Sequence, residues 1–385
     1  MSIAFVADCH LANHGRMGGA AEAGLNRRCR LTLDVLDEAV QRAGEVGCTT
    51  LIVLGDLFDE VRPPAQLIAE ASRILGPCRP DVIDQVVLLV GNHEQGSTAP
   101  GDHSLAPLAF VPGVKVVEGP AVIEVPSRPA GAVSHKAALR ILCVPFRPGV
   151  ASEWLPGVVR EYVGDFAQEK KAPPLLLALH MGIFDNATVP YLRGASDAIV
   201  ADQLAEMCLE LGIAAALVGN WHDRKRWRYG KDKRFVELVQ VGALCPTGFD
   251  NPGLVGFGGL ALWQKGDITI VDLPGPRFLK LKLGEPLPDQ PMDGHSWFVE
   301  LTASSSRFEE AHAFMMKAQV DGLPIEAWEV VPDSDEIAQA AADAAQGAAA
   351  VEKLEEAVAA FIEKMLLPDG VERGAVLEKS RGYLG

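Results

Sequence analysis

The stretch Leu51-Ile52-Val53-Leu54-Gly55-Asp56-Leu57-Phe58-Asp59 runs from an uninterrupted apolar segment into a glycine and two carboxylates. Short apolar runs of this kind are typical of buried parallel strands, which are covered on both faces. In open α/β sheets, ligands bind outside the carboxyl ends of such strands. We therefore predict a strand at residues 51–54, with Asp56 and Asp59 at the mouth of a functional site.

Four other apolar runs also end on residue types that ligate metals. The runs and the polar residues after them are 3–7 before Asp8 and His10, 86–90 before Asn92 and His93, 175–179 before His180, and 214–218 before Asn220 and His222. We expect a shared sheet edge to collect these side chains. Clustered carboxylates repel one another unless a cation neutralises them, so the set predicts a metal site. The alternative is that each histidine only caps a strand.

The ligand types limit which ions the site can hold. Mixed Asp, His and Asn ligands suit first-row divalent ions, whereas closed structural zinc sites use Cys and His. Asp56 is the natural bridge, because one carboxylate can bind two ions. Two ions about 3.5–4 Å apart can bind both the attacking and the leaving oxygen of an in-line displacement. We therefore expect two divalent metal ions.

The ordered motifs resemble those of the calcineurin-like metallophosphoesterase superfamily. They are Asp8-x-His10, Gly55-Asp56-x-x-Asp59, Gly91-Asn92-His93-Glu94, His180 and Gly219-x-x-His222, and they span residues 8–222. The resemblance implies an α/β fold, with a two-sheet β-sandwich flanked by helices, a small α+β cap domain and a C-terminal helical segment.

The same resemblance implies a role for each motif residue. One metal would be held by Asp8, His10, Asp56 and His222, and the other by Asp56, Asn92, His180 and Asn220. His93 would lie beside the leaving group as proton donor or charge stabiliser, oriented by Asp59. An imidazole suits that position, because the departing alkoxide needs a proton or a positive partner.

Asn220 departs from the family pattern, which has histidine at this position. An amide oxygen can ligate a metal, but it is a harder and weaker donor than imidazole. We therefore expect the second ion to bind more loosely and to be Mn, with Mg or Fe as alternatives, in preference to Zn. Loss of activity is the other interpretation.

Flanking sequence resembles the SbcD-type DNA repair nucleases, which partner a coiled-coil ATPase. The similar segments are Arg62-Pro63-Pro64 after the second motif, the Arg-rich stretch 26–30, and residues 241–244 and 274–278. This resemblance implies an exonuclease in double-strand-break repair or recombination, with endonuclease activity as a further option. Its partners would be DNA and an SbcC-like coiled-coil ATPase, with a homodimer as a further option. The alternatives are a phosphatase or phosphodiesterase for a small-molecule or protein substrate, and a weakened scaffold subunit for the ATPase.

The charge distribution supports a nucleic-acid substrate only locally, because the net charge is −16. Basic residues crowd directly after His222, with aromatic residues between them. The candidate DNA-binding residues are Arg224, Lys225, Arg226, Trp227 and Arg228. Cations could bind phosphates and aromatic faces could stack on bases. A solvated hairpin is the equally weighted alternative.

We predict three domains. Residues 1–283 would form the catalytic domain, and a Pro-rich interruption at 284–294 would end it. Residues 295–332 would form a small β-α-β cap. Residues 333–385 would contain an Ala-rich tether and a C-terminal helix that binds the partner.

Composition indicates a cytoplasmic protein without a membrane segment. The chain has no run of about 18 uncharged apolar residues, and residues 1–7 are too short for a signal-peptide core. The seven cysteines are scattered and include no Cys-x-x-Cys pair, which favours a reducing compartment.

Overall fold

A computed structural model describes residues 2–76, 83–126, 137–164, 173–185, 197–231, 234–249, 259–287, 295–333, 362 and 374. The chain divides into two compact units. The first contains Met1–Lys280, Pro286–Glu300 and Ala318–Glu329, and the second contains Leu281–Glu285, Leu301–Lys317 and Val330–Gly385. The three-domain division at 1–283, 295–332 and 333–385 stays a prediction.

The first half of the chain contains both strands and α-helices, and the part after residue 212 is mainly strands. The strands are β1 (Ser2–Val6), β2 (Ala21–Glu22), β3 (Leu25–Asn26), β4 (Cys48–Val53), β5 (Gln85–Leu89), β6 (Val114–Val117), β7 (Ala121–Pro126), β8 (Ala137–Val144), β9 (Leu175–His180), β10 (Gly182–Phe184), β11 (Ala198–Val200), β12 (Ile213–Gly219), β13 (Lys225–Lys231), β14 (Arg234–Gln240), β15 (Gly259–Gln264), β16 (Asp267–Asp272), β17 (Pro276–Lys282), β18 (Ser296–Ala303) and β19 (Ile325–Pro332). The α-helices are α1 (Arg27–Glu45), α2 (Ala65–Leu75), α3 (Ala151–Gly164), α4 (Ala201–Leu211) and α5 (Phe308–Val320).

The first two helices begin where local chemistry favours a helix start. The Asn26 side chain accepts a hydrogen bond from the Cys29 N–H at 2.9 Å, which satisfies one of the free donors of the first turn of α1. Pro64 directly precedes α2 as its N-cap residue.

Two six-stranded sheets form the centre of the first unit. Their strand orders are β16-β15-β1-β4-β5-β6 and β13-β14-β12-β9-β8-β7. The pairs β1–β4, β4–β5, β8–β9, β9–β12 and β12–β14 are parallel, so their carboxyl ends point the same way within each sheet.

The inner faces of the two sheets share one apolar core. It includes Phe5 and Ile52 from the first sheet and Leu176 and Leu217 from the second. Helices α1 and α2 pack on the outer face of the first sheet, and α3 and α4 on that of the second. This arrangement confirms the predicted mixed α/β sandwich flanked by helices.

The strands that end at the predicted ligands are divided between the two sheets. Strands β1, β4 and β5 belong to the first sheet, and β9 and β12 belong to the second. The expectation of a single shared edge is therefore wrong in detail, because the carboxyl ends of two stacked sheets supply the predicted ligands. Apolar runs identify buried strands, but they do not specify which strands are paired.

Residues 295–332 contain β18, α5 and β19 in this order, as the sequence predicts. Strands β17, β18 and β19 form a three-stranded sheet, and α5 follows β18 in the chain. The Ala-rich tether and the C-terminal helix fall outside the described residues, apart from Ile362 and Gly374. Among the described residues, no helix is long and apolar enough to cross a membrane.

We predict that Phe5→Ala destabilises the protein far more than Phe110→Ala. Phe5 is fully buried between the sheets, whereas 88% of Phe110 is exposed. The first change should lower the free energy of unfolding by about 3–5 kcal/mol, and the second by less than about 0.5 kcal/mol. Urea denaturation of the metal-free protein measures both values. Equal effects of the two changes would contradict the assignment of Phe5 to the core.

Candidate metal centre

The backbone is strained where the predicted ligands begin. Asp8, His10, Asp56 and Asn220 have positive φ angles of 49°, 45°, 51° and 87°. Such angles are uncommon outside glycine, and they cluster at functional sites where the surroundings hold them. Here the His10 N–H donates to the Asp56 carbonyl at 3.0 Å, which links the first two ligand turns.

Two glycines leave room for the ligand side chains. A Cβ at Gly55 would lie 2.1 Å from Nδ1 of His180, and one at Gly91 would lie 2.0 Å from Oδ1 of Asp56. Gly55 also has a φ of 100°, which a side chain would disfavour. The glycines of the Gly-Asp and Gly-Asn motifs are therefore needed for close packing at the site.

Asp8, Asp56 and His180 form one buried group of ligand atoms. Their candidate ligand atoms all lie within 4.8 Å of one another. Burial raises the pKa of Asp8. Burial also acts to raise the pKa of Asp56, but the adjacent His180 lowers it overall. Two buried carboxylates this close need positive charge, which a divalent ion supplies.

His180 is oriented for metal binding. Its Nδ1–H donates to the Leu54 carbonyl at 2.6 Å, because a carbonyl can only accept. This hydrogen bond leaves Nε2 as the ligating atom, 3.3 Å from Oδ2 of Asp56. Metal-binding histidines usually use their second nitrogen in this way.

His10 and His222 form the second part of the site. Their Nε2 atoms lie 3.0 Å apart. Nδ1 of His10 donates to Oδ1 of Asp59 at 2.7 Å, and Nδ1 of His222 lies 3.1 Å from the Thr247 hydroxyl. Burial and the nearby His10 lower the pKa of His222 to about 4, which keeps it neutral. The neutral imidazole of His222 can bind a cation through its Nε2, and the Nε2 of His10 faces the same point.

The two asparagines differ in their surroundings. Oδ1 of Asn92 lies 2.8 Å from Nε2 of His180, inside the cluster. The backbone N–H of Asn220 donates to both carboxylate oxygens of Asp8, at 2.8 and 3.0 Å. Its Nδ2 donates to the backbone carbonyl of Asp197 at 3.1 Å. Asp197 thus orients the Asn220 amide, a contact that the sequence did not suggest.

His93 and Asp59 form the exposed side of the site. Nδ1 of His93 lies 3.2 Å from Oδ1 of Asp59, and 43% of the His93 side chain is exposed. The hydrogen bond to Asp59 raises the pKa of His93 to about 9, despite partial burial. An imidazolium held in this way can donate a proton from Nε2. The geometry also brings a ring nitrogen of His93 within 4.8 Å of the ligand atoms of His10 and Asp56.

Glu94 is a residue whose role the sequence did not reveal. It is fully buried, and its carboxylate accepts hydrogen bonds from the Phe58 N–H at 3.1 Å and the Gly91 N–H at 2.8 Å. Burial raises its pKa to about 8. Glu94 therefore ties the loop that carries Asp56 to the loop that carries Asn92. Its presence in the third motif was the available signal.

The predicted DNA-binding residues lie on or beside strand β13, which pairs with β14 in a hairpin. Arg224 binds Asp272 at 2.7 Å, Lys225 binds Asp223 at 2.5 Å, and Arg226 binds Glu237 at 2.8 Å. The Trp227 indole N–H donates to Asp185 at 2.9 Å, and the Arg228 guanidinium lies 3.7 Å from the Phe235 ring centroid. Three of the cations are thus paired with carboxylates of the same chain, and DNA binding by this segment stays a prediction.

We predict that Asp56→Ala abolishes binding of both ions, because Asp56 lies in both ligand groups. Asp267→Ala, which removes an exposed carboxylate, should retain both ions. Metal content after equilibration with Mn²⁺ and desalting measures the outcome. Two ions retained in Asp56→Ala would show that Asp56 is not the bridge.

We predict that Asn220→His tightens the weaker of the two Mn²⁺ sites. Imidazole is a stronger donor than an amide oxygen, and histidine is among the residues that tolerate a positive φ. Calorimetric Mn²⁺ titration compares the two proteins. An unchanged titration would show that residue 220 is not a ligand.

We predict that His93→Ala keeps both metals and slows hydrolysis by about 10²–10⁴-fold, the usual contribution of a general acid. Metal analysis and turnover of a phosphodiester with an alkoxide leaving group, which needs a proton to depart, provide the two measurements. Undiminished turnover by a variant that retains both metals would show that His93 has only a structural role.

Comparison with known proteins identifies the family. Residues 1–224 match the calcineurin-like phosphoesterase family. No curated protein matches the chain. Similar solved structures include a dimetal phosphatase from Danio rerio, with 13% identity and a TM-score of 0.40, where the match covers 71% of this chain and 97% of that one.

Two further similar structures are those of longer chains. A putative 5'-nucleotidase from Staphylococcus aureus has 12% identity and a TM-score of 0.39, and the match covers 71% of this chain and 53% of that one. A purple acid phosphatase from yellow lupin (Lupinus luteus) has 12% identity and a TM-score of 0.40, with 71% and 51% covered. The chain thus spans about half the length of these two proteins. Because the family match includes more than half of the 385 residues, the chain belongs to the calcineurin-like phosphoesterase family, whose members are metal-dependent phosphoesterases that bind two divalent ions.

Proposed function

We propose that the chain is a DNA nuclease of the SbcD type, which hydrolyses phosphodiester bonds with two Mn²⁺ ions and works with a coiled-coil ATPase. The observation that carries this proposal is the exposed His93–Asp59 pair beside a buried ligand cluster. A leaving-group acid that solvent can reach is accessible to a polymeric substrate as well as to a small one.

The predicted ligands would hold two ions, with Asp56 bound to both. Asp8, His10, Asp56 and His222 would bind one ion, and Asp56, Asn92, His180 and Asn220 the other. When bound, the ions supply Lewis acidity toward the phosphate and a nucleophile from water near neutral pH. The mixed oxygen and nitrogen donors, with Asn220 in place of a histidine, favour Mn over Zn.

The protein side chains supply proton transfer and orientation. His93 is an imidazolium at neutral pH, since its pKa of about 9 lies above that range. Asp59 accepts from Nδ1 of His93 and holds the ring, so the proton on Nε2 can pass to the departing alkoxide oxygen. Glu94 keeps the two ligand loops together without contacting substrate.

The flanking sequence supports the choice of DNA and of a partner. Residues 26–30, 62–64, 241–244 and 274–278 resemble SbcD-type nucleases. By that resemblance the C-terminal segment 333–385 would bind an SbcC-like ATPase. We keep that partner, a homodimer and a cytoplasmic location as parts of the proposal.

Hydrolysis of a small phosphodiester is the second candidate function. The observation that favours it is the neutralisation of Arg224, Lys225 and Arg226 by carboxylates of the same chain. Paired cations attract a DNA backbone less strongly than free ones, because the carboxylate must first be displaced.

The two functions are separated by supplying Mn²⁺ with linear single-stranded DNA, linear duplex DNA and a chromogenic phosphodiester. Asp56→Ala serves as the inactive control, since it excludes a contaminating nuclease. DNA degradation by the wild type alone supports the nuclease. Turnover of the small ester without DNA degradation supports the second candidate instead.

We predict that the triple change Lys225→Gln, Arg226→Gln and Arg228→Gln weakens DNA binding and leaves turnover of the small ester unchanged. The slope of log affinity against log salt should flatten by about one unit for each phosphate interaction that the substitutions remove. Fluorescence anisotropy with labelled DNA at several salt concentrations measures both the affinity and the slope.

The matched control removes three exposed arginines from helix surfaces: Arg42, Arg73 and Arg160. This control has the same net charge as the triple variant of strand β13 (the β13 variant), but it leaves the segment after His222 intact. Equal weakening by the two variants would mean that only net charge matters. If the triple change in β13 does not weaken DNA binding, the segment is a solvated hairpin without a role in DNA binding.

A further inference from the structure

A cavity of about 320 Å³ lies beside the metal centre, and none of the predicted ligands lines it. Its walls include Gln95, Glu118, Phe146, Arg147 and Trp154. Cavities that bind small molecules usually have volumes of about 300–1,000 Å³ and mainly apolar walls with a few polar groups. This cavity has both properties, and it is large enough for one planar ring system.

The position of the cavity follows from the parallel pairing of β8 with β9. Val144, the last residue of β8, pairs with Leu179, so the chain after β8 leaves the sheet beside His180. The Phe146 ring centroid lies 6.4 Å from that of His180, at an interplanar angle of 82°. The Phe146 N–H donates to the Val90 carbonyl at 2.9 Å, which fixes this loop against the end of β5. The cavity therefore begins one aromatic ring away from a predicted ligand.

The walls offer flat apolar surfaces together with hydrogen-bonding groups. The Arg147 guanidinium lies 5.4 Å from the Trp154 ring centroid, and the Trp154 indole N–H donates to the Gly149 carbonyl at 3.2 Å. A guanidinium over an indole ring offers a ligand a flat aromatic surface and a positive charge. Gln95 can both donate and accept, and the Glu118 carboxylate can accept. A planar heteroaromatic ring with N–H and C=O groups on its edge matches these walls better than an aliphatic chain or a bare anion.

We propose that this cavity binds a nucleobase of the nucleotide whose phosphate lies at the metal centre. The base would stack among Phe146, Trp154 and Arg147, while the phosphate binds at the ligand cluster. A base cannot enter such a cavity while it is paired in a duplex, so the site selects unpaired nucleotides at single strands or frayed ends. This inference rests on the proposed action on nucleic acid and narrows its substrate class.

The test compares two diesters that share the p-nitrophenol leaving group. One is the p-nitrophenyl ester of thymidine 5'-monophosphate, and the other is methyl p-nitrophenyl phosphate, which has no base. Phe146→Ala and Trp154→Ala should each raise KM for the thymidine ester by roughly 5- to 150-fold, the range for loss of base stacking. KM for the methyl ester should stay unchanged, and Trp154→Phe should restore most of the affinity for the thymidine ester.

Phe110→Ala is the matched control, because it removes an aromatic ring that is 88% exposed and does not line the cavity. It should leave both esters unaffected. An equal rise in KM for both esters in Phe146→Ala and Trp154→Ala would indicate damage to the metal centre and would overturn the proposal. An unchanged KM for the thymidine ester would also overturn it.

Failure of the nuclease proposal has a different signature. A wild type that hydrolyses both esters but no DNA rejects the nuclease, while the ratio of the two KM values still decides the cavity. If neither ester is hydrolysed, binding of thymidine 5'-monophosphate is measured by calorimetry with the metal-loaded protein. Weaker binding to Phe146→Ala than to Phe110→Ala supports the cavity assignment, and equal binding rejects it.

Discussion

The close approach of two buried carboxylates, Asp8 and Asp56, is the constraint on which the rest of the structure depends. Both are almost inaccessible to solvent, and mutual repulsion in a low-dielectric interior would oppose folding without a compensating charge. His180 supplies part of that compensation only in the metal-free protein, because it must lose a proton to bind a metal through Nε2. The negative charge that remains favours the binding of divalent cations. Metal binding therefore contributes to folding stability as well as to chemistry.

This constraint explains why the neighbouring backbone is unusual. The strained turns at Asp8 and Asp56 direct their carboxylates over the strand ends, and the glycines at 55 and 91 remove the side chains that would block them. Glu94 then satisfies two backbone N–H groups of the same loops. The energy of the strain is offset by the two-sheet core beneath, so that a rigid scaffold supports a site assembled from loops.

The local elements and the candidate ligands were readable from the sequence, because each depends on short-range patterns. The apolar run at 51–54 overlaps the end of β4, which lies at Val53. Sheet membership was not readable, since β1 and β12 carry equivalent apolar runs but belong to different sheets. The pairing of Arg224 with Asp272 and of Arg226 with Glu237 was also hidden, because those partners are distant in the chain or become adjacent only through the β13–β14 register. Phe146 carried no signal, since an aromatic residue after a strand is not a metal ligand.

Strand β1 has a consequence for how the protein is made. It lies inside the first sheet, with β4 on one side and β15 on the other. The ribosome therefore releases the first strand long before its second neighbour exists. At roughly 5–20 residues per second, β15 would follow β1 by about 10–50 s. During that interval an apolar strand has one edge without its native partner, and such edges can pair with other chains. The nascent chain thus depends on early packing of α1 and β4, or on chaperones, to protect β1 until the sheet is complete.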